Sequence, residues 1–79
     1  MPRYFFNVVD GKFLVDSQGT VLEGMPEARE MAITTAGEIL RDHGVGGWNG
    51  GDWQMHVTNE AKETVLKLSF SATEPVPPE

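Results

Sequence analysis

The spacing of apolar positions shifts repeatedly along this chain, and each shift marks an element. From Arg3 to Val9 the period is two: Tyr4, Phe6 and Val8 share one face of a strand, and Phe5, Asn7 and Val9 share the other. The strand runs into Asp10-Gly11, a pair that tolerates the positive φ of a tight turn, and Lys12 to Val15 can pair back across it. Asp16-Ser17-Gln18-Gly19 reads as a second turn with Gly19 available for a left-handed position. Thr20-Val21-Leu22 then resumes the strand briefly.

From Pro26 to His43 the period becomes helical. Pro26 suits the first helical position, where its missing N–H is not needed, and Glu27 and Glu30 suit the positive end of the helix dipole. Ala28, Ala32, Thr35, Ala36, Ile39 and His43 form one stripe, bordered by Met31 and Leu40. Gly44 supplies a C-terminal cap, with Arg41 and His43 near the negative end. Gly37 lies inside the helix, at up to about 1 kcal/mol relative to Ala, and suggests a close approach to a sheet. Val45 to Asp52 is a glycine-rich loop around Trp48. Beyond it the two-residue period returns. Trp53, Met55 and Val57 alternate with Gln54, His56 and Thr58; Asn59 to Glu63 is a polar turn; Leu66, Leu68 and Phe70 then oppose Val65, Lys67 and Ser69. Trp53 and Phe70 are assigned to the core. The expected fold is α+β, in the order β-β-α-β-β, with one antiparallel four-stranded sheet and a single helix on one of its faces. Residues 1–71 form the domain, and 72–79, rich in proline, are expected to be a disordered tail.

Composition narrows the function. A chain of 79 residues has a thin core, which seldom supplies more than about 3–5 kcal/mol. With no cysteine there is neither a disulfide nor a thiolate. The net charge of −6, with six basic residues scattered among twelve acidic ones, speaks against nucleic acid. No apolar run approaches the roughly 20 residues of a membrane span. No leader pattern opens the chain, so a cytoplasmic protein is expected.

The start Met1-Pro2-Arg3-Tyr4-Phe5-Phe6, the pair Asp10-Gly11, and Asp16-x-x-Gly19 ahead of Val21-Leu22 carry a resemblance. So do Glu27-Ala28-Arg29 and the late hairpin Val57-Thr58-Asn59-Glu60-Ala61. Together these residues resemble a family of small uncharacterised proteins of rhizobia and related alphaproteobacteria. The resemblance covers the chain up to Phe70 and implies a fold and a bacterial source, with no activity attached. Members tend to have Gly where Lys62 stands, so this turn is expected to be built differently or to carry strain. The Gly-Gly-Trp48-Asn-Gly-Gly loop looks peculiar to this chain. At the level of fold alone, the hairpin followed by an Ala/Glu-rich helix is also similar to antitoxins of the HicB type, which implies a toxin as partner.

Candidate chemistry is sparse. His43 and His56 lack the further ligands, at metal-site spacing, that a metal would require, so no metal or other cofactor is expected. Glu27, Glu30 and Glu38 on the helix and Asp10, Asp16 and Glu60 in turns suit solvation and backbone hydrogen bonding better than acid–base catalysis. Ser17, Ser69 and Ser71 have no nucleophile setting, and the glycine-rich loop lacks the Lys-Ser/Thr of a phosphate cradle. The expectation is therefore a non-enzymatic binding or protein-interaction module, with Phe5, Val9, Trp48 and His56 as contact residues. Phe5, Val9 and Val65 would lie on the uncovered side of the sheet, favouring a homodimer or another protein partner. The alternatives are an antitoxin-like partner of a small toxin, or a small enzyme or metal-binding protein that uses His56.

Overall fold

Strand β1 (Arg3–Val9) is the strand on which the other pieces assemble. The computed structural model describes residues 1–10, 13–44 and 53–71, with the backbone alone for 43 and 44. After β1 come β2 (Phe13–Leu14), β3 (Thr20–Val21), α1 (Met25–Gly44), β4 (Trp53–Thr58) and β5 (Thr64–Phe70). The sheet order is β2-β1-β4-β5, with β3 also beside β1 and every pairing antiparallel. The class is α+β and the order β-β-α-β-β holds, but the second strand is realised as two short pieces.

Those pieces share one edge of β1, whose alternate residues point their backbone groups that way. The Pro2 carbonyl accepts from the Leu22 N–H at 3.0 Å. Tyr4 is in register with Thr20, and Val8 with Leu14. Between them, at Phe6, the partner is the Asp16 carboxylate, whose Oδ2 accepts the Phe6 N–H at 3.1 Å. A side chain thus fills the gap left where the chain leaves the ladder between β2 and β3. Val9 is in register with Phe13. Gly11 and Lys12 lie outside the described residues.

Alternation places the core as the sequence pattern requires. Tyr4 and Val8 from β1 and Trp53, Met55 and Val57 from β4 are buried under Ala28, Ala32 and Ala36 of the helix. Alanine at every fourth position presents a flat strip, letting the helix lie low across the sheet while the larger sheet side chains fill the volume. Trp53, Met55 and Val57 are fully buried, each contributing about 1.5–3 kcal/mol of apolar burial. Helix α1 begins at Met25, one residue before the expected Pro26, and the Ala28 N–H donates to the Gly24 carbonyl at 3.0 Å.

Several expectations are corrected. Gly37 does not approach the sheet: it is exposed, and a Cβ added there would meet nothing within 4 Å. It sits one residue beyond buried Ala36, on the solvent side. Val65 does not lie on the open face. A register irregularity at Val57/Thr58 leaves it as the extra residue of a bulge, and it packs against the core cluster. Phe70, expected in the core, is 42% exposed at the end of the edge strand β5.

Among the described residues two turns carry positive φ. Gly19 has φ 72°, the left-handed conformation expected of it. A Cβ at this position would stand 2.8 Å from both Phe5 Cε2 and the Tyr4 carbonyl oxygen, so close approach adds a second requirement for glycine. Lys62 has φ 64° in the β4–β5 turn, a conformation that L side chains seldom adopt. Of the two alternatives raised for this turn, strain is the outcome. Asn59 organises it: its Oδ1 accepts the Ala61 and Glu63 N–H groups, both at 3.0 Å, and its carbonyl accepts the Lys62 N–H at 3.0 Å.

Candidate functional site

The face of the sheet away from the helix carries Phe5, Asn7 and Val9 from β1 opposite Thr58, His56 and Gln54 from β4. At the Phe5–Thr58 end it opens into a groove of about 430 Å³, within the size range of small-molecule sites. Phe5, Asn7 and Thr58 form its floor. Phe13, Val15, Asp16 and Ser17, from β2 and the segment after it, and Asn59, Glu60 and Lys62, from the β4–β5 turn, complete its lining.

Two polar residues hold this architecture. Asn7 is 6% exposed, and its Nδ2 donates to the His56 carbonyl at 3.0 Å and more distantly to Thr58 Oγ1 at 3.4 Å. Its Oδ1 accepts the Asp16 N–H at 3.0 Å. Asp16 in turn accepts from Gly19 and Gln18 N–H through Oδ1, at 3.0 and 3.2 Å, and from Phe6 N–H through Oδ2. Burial works to raise the Asp16 pKa, but the hydrogen bonds from the Gly19, Phe6 and Gln18 backbone outweigh it and hold the carboxyl below its ordinary 3.8. The pair pins the segment between β2 and β3 against β1, and that segment is one wall of the groove.

The expected contact residues are brought together only in part. Phe5 lies in the groove floor, but it is half-buried, because the Gly19 turn packs over its ring. Val9 and His56 are on the same face and half-buried, outside the groove lining. His56 Nε2 lies 2.9 Å from Gln54 Oε1. Trp48 lies outside the described residues, as does the tail from 72 to 79. The apolar groups this face leaves most open are Phe13 and Val15, at 59% and 66% exposure, which the sequence reading passed over. Asn7 and Asp16 were likewise missed as partners. The available signal was a lone Asn in an otherwise apolar strand and the Asp16-x-x-Gly19 spacing of a side-chain-capped turn.

Among the described residues no three His, Asp or Glu side chains converge where they could hold a metal. Glu27, Glu30 and Glu38 are exposed along the helix. No helix of the described residues is long and apolar enough to cross a membrane.

Fold and groove together define a small α+β domain in which a single helix backs an antiparallel sheet and the opposite sheet face is contoured. The family model for the domain of unknown function DUF6894 matches residues 3–71, and the chain belongs to that family. Comparison with curated proteins and with solved structures gives no match.

Proposed function

We propose that this domain is a non-enzymatic binding module whose contact surface is the grooved face of the sheet. The observation that carries the reading is how polar and apolar groups are used there. Asn7 and Asp16, two polar residues of the groove lining, are bonded to the chain's own backbone, while Phe13 and Val15 stay open to water. A contact surface needs accessible apolar area with fixed shape. Phe13 and Val15 supply the area, and the bonds of Asn7 and Asp16 fix the shape. Self-association is a further reading, favoured by the seven-residue β5 at the sheet edge, a strand onto which another can add.

A photo-crosslinking amino acid placed at Phe13, and as a control at Ile33 on the outer helix surface, tests the assignment in the host cell. Both sites are exposed, so neither substitution disturbs the core. Adducts at position 13 and none at 33 are expected, and an adduct of twice the 8.7 kDa chain mass marks self-association. Equal labelling at both positions, or none at 13, rejects the grooved face as the contact surface.

A further inference from the structure

The charges around the groove are not equally committed. Asp16 accepts three backbone N–H groups, Glu60 Oε1 accepts the Arg3 N–H at 3.3 Å, and Glu63 Oε1 accepts Asn59 Nδ2 at 3.1 Å. Each carboxylate near the groove therefore has a donor from the chain itself. Among the described residues Lys62 is the one cation in the lining, and its ammonium makes no hydrogen bond or ion pair with them. Its backbone is held at φ 64°, where glycine would be accommodated without strain. The Asn59 bonds hold this conformation, and non-glycine residues kept at positive φ cluster at functional sites. The exposed Phe13 and Val15 and the half-buried Phe5 line the same groove.

From this juxtaposition we infer that the groove is a binding site for a small amphipathic carboxylate, its apolar body over Phe5, Phe13 and Val15 and its carboxylate on Lys62 Nζ. The inference rests on the grooved face being the contact surface and adds the ligand class. Charge complementarity selects an anion: Asp16 and Glu60 already accept backbone N–H groups, whereas the Lys62 ammonium has no partner among the described residues. The chain's net charge of −6 does not prevent this, because in physiological salt charges farther than about 8 Å are largely screened.

The probes are 2-naphthoate and its neutral counterpart 2-naphthylmethanol, titrated into the full chain and followed by NMR at the Val15 methyls and the Phe5 and Thr58 amides. Saturable shifts with 2-naphthoate are expected, with about tenfold weaker binding of the alcohol. Two variants separate charge from fold. Lys62→Met keeps the stem and the backbone strain but removes the ammonium; Lys62→Gly removes both. Each should lose about tenfold in affinity for 2-naphthoate and leave the alcohol unchanged, and Lys62→Gly should do so while unfolding at a higher temperature than the natural chain. Equal binding of the two probes, or full naphthoate affinity in either variant, overturns the carboxylate assignment and leaves the contact surface standing. Absence of saturable shifts at millimolar probe overturns the ligand class. If position 13 still crosslinks, the contact surface survives that result; if it does not, both readings fall together.

Discussion

Replacing Asp16 by Asn tests whether a side chain completes the edge of β1. The substitution preserves size and leaves one carbonyl oxygen. That oxygen can continue to serve the Gln18 and Gly19 N–H groups, which share Oδ1. The amide NH2 would then face the Phe6 N–H, donor against donor, where Oδ2 had accepted at 3.1 Å. An amide left unpaired in a part-buried site costs about 1–3 kcal/mol, and hydrogen bonds to a neutral acceptor are about half as strong as those to a carboxylate. Because the groove admits water, about 2 kcal/mol is the expected loss, a large share of the roughly 3–5 kcal/mol such a core supplies. Urea unfolding followed by the fluorescence of buried Trp53 reads this directly. With a slope of about 1 kcal/mol per molar urea, the midpoint falls by about 2 M. The effect has a pH signature. The Asp16 pKa is lower in the folded chain than its ordinary 3.8, so its contribution is fully present above that value and disappears as pH falls through the folded pKa. The stability gap between the natural chain and Asp16→Asn should therefore be constant near neutral pH and close in acid below about pH 4. A variant with an unchanged midpoint, or a gap that does not narrow in acid, would show that the carboxylate does not hold the edge.

The two glycines give opposite expectations. Gly19→Ala must place a Cβ 2.8 Å from Phe5 Cε2 and the Tyr4 carbonyl oxygen at φ 72°, and should destabilise by at least about 2 kcal/mol, lowering the melting temperature by roughly 10 °C or more. Calorimetry showing less than a few degrees would contradict the close approach. Gly37→Ala meets open space on the exposed face of α1 and should stabilise by about 0.5–1 kcal/mol, measurable as a rise in the urea midpoint. A fall would mean that the helix packs there after all.

The strands and the helix were legible because their apolar periods are clean. The Trp53, Met55, Val57 alternation and the Ala28, Ala32, Ala36 stripe each point to one side only, and a slip of one residue would turn the whole set to water. The left-handed Gly19 was legible for a local reason, the steric freedom of glycine in a turn that opens with Asp. What escaped was decided by contacts between distant segments. Gly37 has the same local signature whether it faces a sheet or solvent, and only the rotation of the helix decides. Val65 looks like an ordinary open-face residue until the bulge shifts its register. Phe13 and Val15 read as plain strand residues, because their exposure depends on the chain leaving the ladder after Leu14. The Asn7–Asp16 exchange joins two polar residues whose separate roles, strand position and turn opener, give no sign that they meet. The groove follows from that exchange, so it was hidden for the same reason.

The central place of β1 sets the order in which the fold can form. One of its edges is completed within the next dozen or so residues, by β2, Asp16 and β3, but the other must wait for β4, where the Asn7 amide reaches a carbonyl 49 positions away. Contacts of such long sequence separation form slowly, because the intervening loop must close before they reward it. During that wait Tyr4, Phe5 and Phe6 are an unsatisfied aromatic strand, the kind of segment through which nascent chains join one another. The yield of folded protein at high concentration or temperature is therefore governed by how long this half-built edge stays open, and substitutions that delay β4 will reduce recovery even where the finished domain is no less stable.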